Sequence, residues 1–454
     1  MNSILLQPTD VLFFRDGRPM GGASSGHGAA WPLPTVINHA FHAALHRAGD
    51  AFKDVHSHRR GRSGDYSDDS SHRDRKFGSL VTAGPFPVCT NGSDHTWFFP
   101  RPADADDSGR VILHPYETGT TGAASSLPAP CKYPVSSAKP PSKETPKPWW
   151  SEEAWNTYLA SPEDAPLDSR ISFKKDSDFA DTEHGYGIRI NSESGTVEEG
   201  HFYSAHYLRL REGWKLGVLA AAPDKDLKMD LIVKLLNGHG AEIIAGGQQR
   251  VCTATLESKA TGRLPLPPGR AGGFLEHDGK WLLKWVLLTS AIWPEIPEGQ
   301  SKRGTVRKHH PGGWLPNWIC PESGKVLLET VTDEERRRRR NLNAAGIGYV
   351  SNPNIAARLV AAIVPKAIPL TGWALANDSD RTEGGAKSTH LAVPAGAVYY
   401  FEADSADAAL ALAATLNWHG NDTNPTKIKN RRSTLMGEKG FGLGVCGTWQ
   451  FFGT

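Results

Sequence analysis

At 454 residues the chain exceeds what one hydrophobic core usually holds, so two domains are expected. Its 39% apolar and 22% charged residues, with 47 Gly and 32 Pro, exclude a disordered chain or a coiled coil and describe a loop-rich globular protein. The balance of 51 basic against 49 acidic side chains argues against a broadly basic nucleic-acid binder, so any such contact must use a local patch.

The first residues, MNSILLQPTD, lack the basic and apolar regions of a secretory signal. The longest apolar stretch, at 281–292, is too short and interrupted to span a bilayer. The five cysteines, Cys89, Cys131, Cys252, Cys320 and Cys446, are far apart and form no CxxC pair. That spacing argues against a disulfide framework and a structural zinc site. A cytoplasmic protein without membrane contact, metal or cofactor is expected.

Residues 4–6 read as a first strand, followed by Pro8 and Asp10 as turn signals. VLFFRDGRP at 11–19 leads into a Gly/Ser loop at 21–28. Thr35 is a candidate N-cap for a helix over 36–48. Residues 56–77 are polar and Ser-rich and read as a mobile loop, and 119–148 as a linker or surface-hugging insertion. Residues 149–160 suit a short amphipathic helix.

Residues 201–210 and 214–222 read as two strands around the turn Arg211-Glu212-Gly213. A helix over 224–237 follows, with Leu227, Leu231 and Leu235 on one face. AGGQQR at 245–250 then precedes a strand at 251–256. The C-terminal part repeats this plan: a strand at 397–403, Ser405 capping a helix over 406–418, GEKGFGLG at 437–444, and a last strand. Each half also has an earlier strand, at 2–7 and at 281–292. The implied fold class is α+β, with two tandem ferredoxin-like (RRM-like) domains carrying large loop insertions. The expected limits are 1–272, with an insertion at about 50–200, and 273–454, with an insertion at about 295–352.

Gly442-x-Gly444-x-x-Gly447 spells a dinucleotide-binding motif, but no helix can follow it before the sequence ends. A Gly-rich turn can instead free its N–H groups for phosphate oxygens. Gly440 and Gly442 belong to that turn, and Lys427, Lys429, Arg431, Arg432 and Lys439 precede or enter it. Phe441 within it is a candidate to stack on a base. The bland alternative is a tight turn beside a solvated basic face. Gly246, Gly247, Gln249 and Arg250 occupy the matching place in the first half, so two bends could line one continuous groove. Phe14, Arg15 and Arg18 bracket a turn suited to phosphate contact and base stacking, unless Asp16 simply pairs with an arginine to hold it.

His39, His42 and His46 share a face of the first helix and are candidates for metal binding or general acid–base cleavage of RNA, against ordinary packing beside Phe41 and Leu45. The arginine run at 336–340, after an acidic start, reads first as a solvated helix. Asp68-Asp69, Glu152-Glu153 and Glu198-Glu199 lack accompanying catalytic signals.

Taken together, VLFFRDGRPM with WPLPTVINHAFHAAL, ISFKKDSDFADTEHGYGIRINSESGTVEEGHFYSAHYLRL, AGGQQR, AIVPKAIPLTGW, VPAGAVYY and GEKGFGLGVCG resemble the Cas5-group RAMP subunit of type III-B CRISPR effectors, the Cmr complex. The resemblance spans nearly the whole chain. It implies two ferredoxin-like halves and a non-catalytic subunit, present once in a hetero-oligomer, that grips the 5′ handle of the CRISPR RNA. It implies two kinds of neighbour: a large polymerase/cyclase-like subunit and the backbone RAMP subunits. It carries RNA contact to the FFRDGR turn, AGGQQR and GEKGFG. The rival readings are a metal-independent endoribonuclease using His39, His42 or His46, and a scaffold that touches only proteins.

Overall fold

The computed structural model describes residues 1–14, 31–48, 79–117, 126–137, 140, 146–160, 172–224, 228–257, 262–300, 306–331, 334–335, 338–339, 352–374 and 385–453. The loop predicted at 56–77 lies outside them, as do Arg15, Arg18, Leu227 and most of the arginine run.

The main elements are, in chain order, β1 (Asn2–Pro8), α1 (Pro34–Arg47), β2 (Val81–Asn91), β3 (Asp94–Pro100), β4 (Trp149–Ser151), α2 (Glu152–Ala160), β5 (Phe173–Lys174), β6 (Ala180–Ile190), β7 (Val197–Leu210), β8 (Trp214–Ala221), α3 (Leu231–Leu236), β9 (Ala241–Ile244) and β10 (Val251–Leu256). The second half continues with β11 (Leu275–His277), β12 (Lys280–Leu287), β13 (Ala357–Ile363), β14 (Val398–Ala403), α4 (Ala406–Leu416) and β15 (Gly444–Thr448). The result is a mixed α/β protein of mostly antiparallel sheets with few helices.

The first sheet runs β9-β10-β1-β8-β2-β3-β4-β5. The second runs β11-β12-β14-β13, with β15 also paired to β12. At the heart of each lies an antiparallel four-strand core, β10-β1-β8-β2 and β15-β12-β14-β13. Numbered by chain position, both cores have the spatial order 4-1-3-2.

Alternation along the strands divides the interior into layers. Ile4 and Leu6 of β1 join Leu216 and Val218 of β8 beneath α1 and α3, while Leu5 and Leu219 face the other way. Leu283, Trp285 and Leu287 of β12 pack under α4, and Leu282 and Val286 turn toward the first half. The two inward faces share one core, which also takes Trp150, Trp155 and Tyr158 from the β4–α2 segment.

Several expectations change in detail. Helix α1 starts at Pro34 with Leu33 as its N-cap and no side-chain cap, so Thr35 does not cap it; proline lacks the N–H that the first turn leaves unpaired. Trp149–Ser151 is a strand, and the helix begins only at Glu152. Helix α3 is shorter than 224–237 because Asp230 caps it, accepting from Ile232 N at 3.0 Å and from Ala222 N at 2.9 Å. β12 stops at Leu287 rather than 292.

Residues 197–210 do not pair with 214–221. They form a long two-stranded ribbon with β6, tied to the body by a bridge between Leu12 and Leu208. The segment expected to be an insertion contains β2, a central strand of the first sheet. Within 119–148, Lys132 N and Tyr133 N both donate to Val360 O, and Tyr133 is buried. The 295–352 segment likewise contributes Leu315, Ile319 and Val326 to the core. Among the described residues, no helix is long and apolar enough to cross a membrane.

A buried polar contact joins the halves. Lys284 of β12 places Nζ 2.7 Å from Asp104 Oδ2, with both side chains almost fully enclosed. Tyr158 OH donates to Asp104 Oδ1 at 2.7 Å, and Tyr400 OH reaches Oδ2 at 3.4 Å. The Lys284 ammonium also lies 4.1 Å from the Tyr158 ring centroid. Burial pushes the Lys284 pKa down, and Asp104 opposes that shift. Removing one partner strands a charge without water. Lys284→Met should cost about 3–5 kcal/mol in a urea titration, and the pair Asp104→Asn with Lys284→Met should recover most of it.

Candidate nucleic-acid interface

The bend after β9 is built around close backbone approach. Gly246 has φ +85°, and a Cβ there would lie 2.5 Å from Phe13 O and 2.9 Å from the Phe14 ring. Gly247 N donates to Phe13 O at 2.9 Å. The two glycines therefore exist so that the Phe13-Phe14 backbone can lie along the bend. Gln248 and Gln249 follow in the left-handed region, at φ 55° and 52°, and both are exposed.

Beside this bend sits the root of the β6–β7 ribbon. Tyr207 packs against Phe13 with ring centroids 5.6 Å apart, and the Arg250 guanidinium lies 5.1 Å from the Tyr207 centroid. Arg250 Nη1 is 3.5 Å from Asp10 Oδ2, and Arg209 Nη2 donates to Asp10 Oδ1 at 2.9 Å. The hydrogen bonds that Arg209 donates to Glu183 and Asp10 push its pKa up. Tyr207, Arg209 and Asp10 are not marked as site residues by any motif in the sequence. Their one signal is the alternation in HYLRL, which puts Tyr207 and Arg209 on one side of a strand.

The second bend has a different role. Gly437–Lys439 is a 3-10 turn, and Gly440 (φ +99) and Gly442 (φ +76) follow. A Cβ on Gly440 would sit 2.8 Å from Ala83 Cα in β2, and one on Gly442 would sit 2.1 Å from Ser433 N. Their N–H groups are already used: Gly440 donates to Gly437 O at 3.0 Å and Gly442 to Ser290 O at 2.8 Å. Phe441 is 0% exposed and packs with Ile292, Leu370, Ala392 and Met436. This bend is a packing seam between the halves, not a cradle for phosphate.

The bends therefore do not line one groove. The first lies at the Pro8–Val251 end of the first sheet, the second at the Asn2–Ala83 end. Strand geometry separates those corners by roughly 17 Å along the strands and about 14 Å across them. Nor can Phe14 or Phe441 stack on bases, because Phe14 is only 2% exposed and Phe441 is sealed. Arg15 and Arg18 continue from Phe14 outside the described residues.

The basic residues ahead of the second bend serve several ends. Lys427 is exposed, and Lys429 pairs with Asp422 at 3.3 Å. Arg432 Nε donates to Thr415 O at 2.7 Å. Burial lowers the Arg431 pKa to about 10. Lys439 is buried, with Nζ 3.2 Å from His39 Nε2 of α1. His42 and His46 face each other with ring centroids 4.6 Å apart. Among the described residues, the group that could hold a metal ion is Glu117, His277 and Asp278, which includes none of the three helix histidines.

A family described as CRISPR-associated protein (Cas_Cmr3) matches residues 4–449. The chain belongs to this family. The resemblance seen in FFRDGRP, AGGQQR and GEKGFG is borne out, and the chain is a RAMP-like subunit of the type III CRISPR kind. No curated protein matches the chain. Among solved structures, it is similar to a chain of type III-B Cmr-beta bound to cognate target RNA and AMPPnP (TM-score 0.38, 13% identity, 88% of this chain and 86% of that one). It is also similar to a chain of the Csm3-Csm4 subcomplex of a type III-A interference complex (TM-score 0.35, 8% identity, 88% and 92%).

The sealed position of Phe441 yields a clear expectation. Phe441→Ala should cost about 3–5 kcal/mol of stability. The variant protein that remains folded should bind RNA as wild type does, as read by paired thermal melts and binding titrations.

Proposed function

We propose that this Cas_Cmr3 family member is a non-catalytic subunit that grips the 5′ handle of a CRISPR RNA, and that its contact centres on the first bend. The observation that carries the reading is the exposed 246–250 turn, pinned by Phe13 and flanked by Arg250 and Arg209. Such a turn offers backbone polar groups and two guanidiniums at one rim, chemistry that suits phosphate oxygens. Asp10 and Glu183 now share those cations, but pairs this exposed are weak and salt-screened, so a phosphate can displace them. Arg15 and Arg18, next along the chain from Phe14, extend the same reading.

The 4-1-3-2 order in both cores supports reading the halves as ferredoxin-like units, divided near 272/273. In this reading one copy bridges the large polymerase/cyclase-like subunit to the backbone RAMP subunits. The seam between the halves would keep the gripping rim in fixed relation to those neighbours.

The test uses the purified full chain and a single-stranded RNA carrying the repeat-derived 5′ handle. Arg250→Ala should weaken binding about five- to tenfold, and the log–log salt dependence should become shallower by about 0.7 for each phosphate that is no longer neutralised. Asp10→Asn, which frees Arg250 from its carboxylate and leaves Arg209 to Glu183 alone, should tighten binding by about two- to fivefold. Unchanged affinity in both variants contradicts the reading. Specific cutting of precursor RNA, abolished by alanine at His39, His42 or His46, would instead establish the endoribonuclease.

A further inference from the structure

The β6–β7 ribbon is a sheet of two strands, and β6 has β7 as its one strand partner among the described residues. Its hydrogen-bond pattern is set at the root. Leu208 donates to Leu12 O and accepts from Leu12 N, both at 2.8 Å, so its backbone groups turn away from β6. In an antiparallel pair such residues alternate with those that bond across the ladder. Thr182, opposite Leu208, therefore turns its own N–H and C=O away from β7, and His184, Tyr186 and Ile188 share that direction. Among the described residues, no hydrogen bond reaches the outward groups of Thr182, His184 or Ile188. From Thr182 to Ile188 this outer edge runs about 20 Å.

The side chains along the edge are apolar or neutral. Tyr186, Ile188 and Ile190, at alternate positions of β6, are 70%, 48% and 58% exposed. Thr182 and His184 are exposed before them. A Cβ on Gly185 would lie 2.5 Å from Tyr207 Cε2, so Tyr207 lies across the opposite face of the ribbon. Proteins guard open edges with proline, lysine or a break in register. Between 182 and 188 there is no proline, no lysine and no shift in register.

The backbone of the edge defines what can cover it. Donors and acceptors alternating along an extended strand are matched by another extended polypeptide. RNA brings phosphates, and no Lys or Arg stands among the described side chains of the Tyr186 face. We propose that the outer edge of β6 receives an extended segment of a neighbouring protein as a third, antiparallel strand. Branched apolar side chains at alternate positions of that segment lie over Tyr186 and Ile188. This docking edge does not rest on the RNA-gripping turn at 246–250, and either can fail without the other.

The probe is the capped peptide Ac-Lys-Val-Thr-Val-Thr-Val-Lys-NH2, titrated into the purified full chain up to millimolar concentration. Calorimetry and residue-resolved amide exchange over 180–190 are the readouts. Binding should saturate at one site and slow exchange of the Thr182 and His184 amides at least fivefold. In the antiparallel pairing the valines share the face of Tyr186 and point their N–H groups at the edge. The peptide with N-methylated valines should therefore not bind, and the one with N-methylated threonines should bind within threefold of the parent. His184→Pro removes an outward N–H and leaves the ladder to β7 in place, and should weaken binding at least fivefold. Ile188→Lys should do the same and remains readable if the proline variant is unstable. Leu391→Lys, at an exposed position outside the ribbon, should leave binding unchanged. The proposal is overturned by no saturable binding, by equal binding of the two methylated peptides, or by binding that survives both ribbon variants. Protection of the edge by RNA or by a second copy of the chain, with none from the peptide, also overturns it.

Discussion

The structure depends on a charged contact buried between its two sheets. Asp104 comes from a loop of the first half and Lys284 from the central strand of the second, and they meet where Tyr158 and Tyr400 close over them. Such a pair returns little net stability, because desolvating both ions offsets their attraction. What it supplies is alignment. Apolar faces can slide over each other at small cost, but a lysine that must find its carboxylate and two tyrosine hydroxyls allows one seating. The glycine bend at 440 is a second alignment device, since only a residue without a side chain lets that loop rest on Ala83.

That alignment explains why two similar Gly-rich bends have different fates. Each joins a helix-bearing segment to the last strand of a four-strand core. In the first half the bend stays at the rim, held by the Phe13 carbonyl and bordered by the ribbon. In the second half it becomes part of the seam, its N–H groups consumed by Ser290 and Gly437. The repeated topology thus carries one surface site and one structural joint.

Much of the fold is legible wherever local signals agree. The Ser405 cap, the 251–256 and 398–403 strands and the positions of both bends match their sequence signals because each depends on nearby residues. β2 escapes the sequence for a physical reason. Its VTAGPFPVCTN sequence contains two prolines and a glycine at φ +99°, which read as a loop, yet an irregularity in its register with β8 accommodates Gly84 and Pro85, and Pro87 stays in register opposite Leu216. The ribbon differs from expectation because alternation marks a strand without naming its partner. The site is only partly legible. Glycines beside cations suggest phosphate at both bends, but which bend is open depends on residues hundreds of positions away. Phe441 shows the ambiguity most plainly: an aromatic ring in a glycine turn suits a base or a core equally, and Ile292 and Leu370 decide for the core.

The central claim of the proposal is that RNA meets this subunit around the first bend, at the ribbon root and the Arg15–Arg18 stretch, and not at the second bend. Zero-length ultraviolet crosslinking of RNA within the natively assembled ribonucleoprotein, with crosslinked peptides mapped by mass spectrometry, tests it most directly. The account predicts adducts within 205–211 and 245–250 and none within 437–442. Adducts concentrated at 437–442, with the first bend unmarked, would contradict it.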